Sequence, residues 1–188
     1  NWDHQQYLTM DSDGKAHVYV TKCEIGQHIG TALAQAVAEE LEINWDDVSV
    51  IYPDSHAKWG LMITGGSWSV NWTFDRNSRI GASARIALVE AGAKLMKANV
   101  GDCYAKNSVV HSNDGKSITY KEILGKTTID RTFSEDEMKA IKLKSFGEYS
   151  IVGQSKQPFD IPSKIDGSAK YGSDVFVPDM VYAIPVQN

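Results

Sequence analysis

The sequence predicts an α/β (α+β) fold, a small sheet carrying a packed long helix, and three observations predict it. Residues 15–21 alternate, with Ala16, Val18 and Val20 set against Lys15, His17 and Thr21, which is the period of a half-buried strand. Residues 31–42 change to the helical period, since Leu33, Ala36, Val37 and Leu41 stand at i, i+3, i+4 and i+8. Residues 69–97 carry a longer stripe of the same period: Ile80, Ala84, Ala87, Leu88, Ala91 and Leu95.

Residues 2–9 show no clear period and form a lead-in, and Ser12-Asp13-Gly14-Lys15 turns the chain into the first strand. A turn at Gly26-Gln27 then opens the helix 31–42. Its apolar stripe predicts a solvent face of Gln35, Glu39 and Glu42, so that Glu39→Ala is expected to be silent. Residues 48–51 read as a second strand, and 53–62 as a loop whose Asp54, His56, Lys58 and Trp59 cover a surface. The run Thr64-Gly65-Gly66-Ser67-Trp68-Ser69 opens the long helix. Its glycines permit close backbone approach, and Ser67 and Ser69 are candidate caps.

Ala82, Ala84, Ala87 and Ala91 make the long helix thin, suited to close packing on the same sheet; Arg76, Arg79 and Arg85 read as a solvated face rather than phosphate ligands. Residues 109–111 and 117–119 flank Asn113-Asp114-Gly115-Lys116 as a hairpin, and a short helix should start at Tyr120. Ser134 with Glu137 is a capping-box pattern for another short helix reaching Ile141. From Lys142 onward, Gly147, Gly153, Pro158, Pro162, Gly167, Gly172 and Pro178 interrupt any helical period. The chain therefore divides into a first domain, 1–145, and a linker into a second unit, 146–188.

A net charge of -5 and the lack of a basic stripe argue against a nucleic-acid partner. No apolar run approaches the length of a membrane span, about 18 residues. Cys23 and Cys103 stand far apart and read as two buried thiols, and the five histidines have no metal-binding spacing. Asn71-Trp72-Thr73 matches the glycosylation triplet, but it falls at a helix start and is a common chance match. The two loop-to-helix junctions carry the remaining signal. Each presents unpaired backbone N–H groups and a positive dipole end, which suits an anionic ligand rich in hydrogen-bonding groups.

Cys23-Glu24-Ile25-Gly26-Gln27, Thr31, Ala38-Glu39-Glu40-Leu41, the run 64–69, Gly81-Ala82-Ser83-Ala84-Arg85, and Asp160, Lys164, Gly167, Tyr171-Gly172, Asp174-Val175, Pro178 and Met180-Val181-Tyr182-Ala183 occur in order along the chain. Together they resemble the N-terminal part of the large subunit of bacterial molybdenum hydroxylases, of the isoquinoline 1-oxidoreductase beta-subunit and membrane-bound aldehyde dehydrogenase type. The resemblance implies a molybdopterin-binding-type domain followed by the start of a hammerhead-type segment. It implies that Gly26, Gln27, Gly66, Ser67, Trp68 and Ser69 bind the pterin and its phosphate. The implied cofactor is molybdopterin in its cytosine dinucleotide form, with iron–sulfur clusters in a partner small subunit. The implied reaction is oxidative hydroxylation of an aldehyde or an N-heterocycle, in a periplasmic or membrane-associated enzyme.

Two departures accompany the resemblance. The family turn reads Gly-Gln-Gly-x-x-Thr, whereas His28 stands here at the third position. The family's catalytic glutamate lies in a Gly-Glu-Pro-Gly-like motif, and Gly147-Glu148-Tyr149 does not match it. No residue of the chain is therefore assigned as catalytic or as a metal ligand. The chain is expected to be a fragment of a longer polypeptide, inactive and free of molybdenum alone. Two alternatives are a binding or assembly module with a vestigial site, which His28 favours, and a serine hydrolase using Ser67 in Gly65-x-Ser67-x-Ser69.

Overall fold

The computed structural model describes residues 4–187. Of the lead-in 2–9, residues 2 and 3 lie outside the described residues; the rest forms helix α1 (His4–Tyr7) and most of strand β1 (Leu8–Met10). An Asp11 turn, with the Gly14 N–H donating to the Asp11 carbonyl, leads into β2 (Ala16–Tyr19). Helix α2 (Ile29–Leu41) then crosses to β3 (Val48–Ile51), which pairs parallel with β2 while β1 pairs antiparallel on its other side. The expected strand–helix–strand unit is present. α2 begins two residues earlier than its periodicity indicated and stops at Glu42, a left-handed residue with φ 57°.

Helix α3 (Ser69–Met96) matches its expected span and ends at the left-handed Lys97. Ile80, Ala84, Ala87 and Leu88 are buried as expected, but Leu95 is 37% exposed. In the last turn the half-buried Met96 packs on the core instead, because the stripe has rotated by then relative to the body it covers. α3 also differs in its neighbour. It packs chiefly along α2 and on the second sheet rather than on the first. Gly81 allows the helix crossing: a Cβ there would lie 2.2 Å from the Val37 carbonyl oxygen.

The second sheet is an antiparallel meander of β4 (Cys103–Lys106), β5 (Val109–Ser112) and β6 (Ser117–Thr119). Its β5–β6 hairpin turns at Gly115, φ 87°, as expected. β4 carries no strong sequence signal, since the strand alternates only between half-buried and exposed positions. Helices α4 (Tyr120–Lys126) and α5 (Glu135–Ala140) both open with capping boxes, Thr119 with Glu122 and Ser134 with Glu137. The fully buried Tyr120 donates to the Leu41 carbonyl oxygen at 2.7 Å and ties this part to the end of α2. Replacing the Ser134 cap by alanine is expected to cost about 1 kcal/mol. Urea denaturation would read this, with Ser168→Ala as an exposed comparison.

Residues 144–164, which include helix α6 (Ile161–Ile165), run back along α2. The contacts use the polar face of α2, as follows. His28 Nδ1 bonds Asp160 at 2.9 Å, and Thr31 Oγ1 accepts from Phe159 N at 3.0 Å. Gln35 Nε2 donates to the carbonyls of Ile151 and Gln154, both at 2.9 Å. Glu39 accepts from the backbone N–H groups of Ser150, Ile151 and Val152, and Lys144 pairs with both Glu39 and Glu42. Positions 28, 31, 35, 39 and 42 recur every three or four residues, so they form one stripe. The face expected to meet solvent is a docking track: Glu39 is 1% exposed, and Glu40 is equally buried with its carboxylate 3.5 Å from Arg85.

Candidate functional site

The first loop leaves β2 with the Val20 N–H donating to the Ile51 carbonyl, then reverses through 23–28. Gly26 adopts φ 100°, a conformation that glycine enters without strain. Glu24 closes the reversal, its Oε1 accepting from Gly26 N at 2.7 Å and His28 N at 3.0 Å. Gln27 folds back over the same loop: its Oε1 accepts from Ile25 N at 2.7 Å, and its Nε2 donates to the Cys23 carbonyl at 3.1 Å. One amide N–H and one lone pair remain for a ligand. Cys23 is exposed and Cys103 half-buried, which corrects the reading of both as buried thiols; Cys23 lies in an irregular loop and Cys103 at an edge strand.

The second loop comes to the same carbonyl. Thr64 Oγ1 donates to Cys23 O at 3.3 Å, so the Gln27 amide and the stem of the Gly65-Gly66 loop share one acceptor. Gly66 and Ser67 are both left-handed, φ 61° and 58°, and the residue before α3 is Trp68, without a side-chain cap. Ser67 and Ser69 therefore do not cap the helix. The Ser69 carbonyl instead accepts from the Thr73 hydroxyl at 2.6 Å, and the first-turn N–H groups have no side-chain acceptor. Trp68 stacks on Trp72 at 5.1 Å, and both rings are about half exposed. No histidine is hydrogen-bonded to Ser67 among the described residues, so the hydrolase reading lacks its base.

In the loop of 53–62, Trp59 is buried between Tyr7 and Tyr19 rather than covering a surface. His28 is left-handed at φ 59°, the conformation a glycine would hold there, and its ring is turned onto Asp160. Lys164 donates to Asp160 Oδ2, which the His28 ring also reaches at 3.0 Å, and lies 4.0 Å from Glu24. Glu24, His28 and Asp160 bring three ligand atoms within 4.8 Å of one another, and the Lys164 ammonium supplies the cation beside them. Burial works against the Asp160 carboxylate, but its bonds to Lys164 and His28 hold it below the usual range. Tyr52 packs its hydroxyl over Gly30, and burial together with the charges of Glu24 and Asp160 pushes it up to about 12.

Residues 2–171 match the molybdopterin cofactor-binding domain family. The chain belongs to that family. A membrane-bound aldehyde dehydrogenase (pyrroloquinoline-quinone) of Gluconacetobacter polyoxogenes is 41% identical over 180 residues, which cover 95% of this chain and 23% of the relative. The isoquinoline 1-oxidoreductase subunit beta of Brevundimonas diminuta is 28% identical, covering 95% of this chain and 27% of its own length. The chain thus spans about a quarter of these two relatives. Among solved structures, quinoline 2-oxidoreductase from Pseudomonas putida 86 shares the fold over 63% of this chain and 15% of its own, with TM-score 0.52 and 22% identity.

The residues of this molybdopterin-binding domain fit such a group. Gly65 has open space where a Cβ would stand, and the helix behind it starts uncapped. The two tryptophan rings border the loop with flat faces, and Gln27 keeps a free donor and acceptor. Periodicity placed the loops but gave no hint of the groups that hold them. Lys22, buried, donates to the carbonyls of Leu61 and Ile63 at 3.1 and 3.0 Å and so anchors the second loop's stem to the first. A lysine flanked by Thr21 and Cys23 shows no sequence pattern that would reveal this role.

Proposed function

We propose that this domain holds the pterin and phosphate of a molybdenum cofactor between the Gln27 turn and the Gly66–Ser69 loop, within an oxidoreductase subunit. The observation that carries the reading is the Cys23 carbonyl, on which the Gln27 amide and the Thr64 hydroxyl converge. Gly26 opens the first turn; Gln27 and Ser67 offer side-chain hydrogen bonds; Gly66 and Ser69 offer backbone N–H groups; and Trp68, whose own N–H donates to the Gly65 carbonyl at 3.3 Å, offers its half-exposed ring. When bound, the cofactor supplies the redox centre for oxidative hydroxylation of an aldehyde or an N-heterocycle, and we assign the electrons to iron–sulfur clusters of a small subunit. The domain's own residues bind and orient: the loops seat the ligand, and the 144–164 strap holds the helix from which the first loop springs. The cytosine dinucleotide form, the periplasmic or membrane-associated location, and a hammerhead-type segment starting within 146–188 belong to the same reading. No helix among the described residues is long and apolar enough to cross a membrane.

The name of the 41% identical relative specifies pyrroloquinoline quinone, and that favours one second reading, a quinone in place of the molybdenum cofactor. Metal analysis and pterin fluorescence of the native full-length protein separate the two. Molybdenum and pterin in equal amounts are expected. A quinone chromophore without molybdenum would replace the first reading with the second, and neither group would leave a vestigial module. Within the full-length protein, Gln27→Ala and Ser67→Ala should each lower molybdenum occupancy several-fold, because each removes a hydrogen bond contributing about 1 kcal/mol or more. Unchanged occupancy in both variants would take these residues out of the site.

A further inference from the structure

The second loop rests on two cations that no carboxylate among the described residues balances. Lys22 is 4% exposed and gives two of its three N–H groups to the Leu61 and Ile63 carbonyls. Arg76 lies with its guanidinium carbon 4.6 Å from the Tyr7 ring centroid, and its Nε is buried without a hydrogen-bond partner. The Tyr7 hydroxyl donates to the Trp59 carbonyl at 3.5 Å, so both cations border the same segment, 59–63. Among the described residues no carboxylate pairs with either one. The neighbouring Thr21 hydroxyl is also buried without a partner.

The other two arginines of this helix are satisfied, which makes Arg76 the exception. Arg79 bonds Asp75 and the carbonyls of Met138, Lys139 and Ile141, where it closes the end of α5. Arg85 pairs with Glu40. Burial, and then the charge of Arg76, holds Lys22 below the ordinary lysine range, and burial lowers Arg76 as well. A guanidinium does not release its proton near neutrality, so the unpaired charge persists and calls for an anion. Arg76 stands at i+7 from Ser69, on the face of α3 that begins at the uncapped turn, and helical side chains lean towards the N-terminus. The guanidinium fork matches phosphate oxygens in pairs.

We propose that Arg76, backed by Lys22, is a phosphate site that receives the phosphate or diphosphate group of the ligand held by the two loops. The assignment rests on the reading of the domain as a cofactor holder, and goes beyond it in giving the ligand's charge to residues outside both loops. The Arg76 guanidinium keeps its proton at neutral pH, and the bound anion completes the pairing that the protein leaves open.

Inorganic pyrophosphate titrated into the protein at fixed ionic strength, followed by calorimetry and phosphorus NMR, tests the site. The wild type is expected to bind and to melt at a higher temperature with the ligand. Arg76→Gln should bind at least tenfold more weakly, Arg76→Lys should recover part of the loss, and Lys22→Met should also weaken binding. Ligand-free Arg76→Gln should melt no lower than the wild type, because it removes a half-buried charge that no carboxylate among the described residues pairs; this separates a binding role from a structural one. No pyrophosphate binding by the wild type, or equal binding by Arg76→Gln, overturns the proposal. Molybdenum occupancy of the full-length protein that is unchanged by Arg76→Gln also overturns it and leaves the cofactor reading intact. Arg76-dependent pyrophosphate binding in a protein whose full-length form carries no molybdenum keeps the phosphate site and removes the cofactor reading.

Discussion

Replacing Glu39 by alanine is expected to release residues 144–152 from helix α2 and to cost about 3–5 kcal/mol of stability, the range for breaking one side of a buried ion pair. The carboxylate is almost wholly buried and receives the N–H groups of Ser150, Ile151 and Val152 at 2.9, 2.6 and 2.9 Å, with the Lys144 ammonium at 2.8 Å. Alanine leaves three backbone donors without their acceptor and the largely buried Lys144 with Glu42 alone, and each orphaned donor costs about 1–3 kcal/mol unless water enters. Urea denaturation should show the loss, and limited proteolysis should show new cleavage within 144–152. A variant with wild-type stability and no added cleavage would mean that water replaces the carboxylate, and that the docking is superficial.

The same group sets an acid limit. Burial opposes the Glu39 charge, but Lys144 and the three N–H groups outweigh it and hold the carboxyl below its usual range. With a depressed folded-state pKa, its stabilisation is present above about pH 4.3, the ordinary glutamate value, and is lost as pH falls through the lower folded value. Glu40 acts oppositely: burial raises it, so its contribution is full below about pH 4.3 and lost as pH rises through its raised value. Glu39→Gln should flatten the acid limb of the stability curve. Lys144 is raised despite its burial by Glu39 and Glu42, so its share is lost only on the alkaline side.

Glu39 also shows where sequence reading ends. The apolar period of α2 located its core side correctly, since Leu33, Val37 and Leu41 are fully buried. Nothing in that period tells whether the opposite polar face meets water or another segment. The partner, 144–164, carries no long apolar period, because much of its binding to α2 goes through backbone N–H and carbonyl groups, which every residue type has, with Lys144 and Asp160 adding side-chain contacts. Ala38-Glu39-Glu40-Leu41 carries the family resemblance, and the structure supplies the reason for its two acids. The Ser134–Glu137 capping box and the β5–β6 hairpin were legible because each depends on local residue types. Thr64 and Lys22 were not, because the carbonyls that define their roles lie far along the chain.

Gly81→Ala is expected to destabilise the protein by about 3 kcal/mol or more, against the usual gain of about 1 kcal/mol for replacing glycine inside a helix. The added methyl would stand 2.2 Å from the Val37 carbonyl oxygen, 3.0 Å from its carbon and 3.1 Å from Cα. All three atoms belong to the backbone of α2, so no side chain can turn aside and the helices themselves must separate. α2 starts at the Gln27 turn and α3 at the Gly66–Ser69 loop, so this crossing also sets how the two loops face each other. The variant should therefore lose melting temperature and, in the full-length protein, molybdenum occupancy together. Gly125→Ala in α4 is the comparison, because nothing lies within 4 Å of its Cβ position and the glycine has no positive φ. That change should stabilise slightly and leave binding intact. If Gly81→Ala behaved like Gly125→Ala, the close crossing would not be what holds the loops in place.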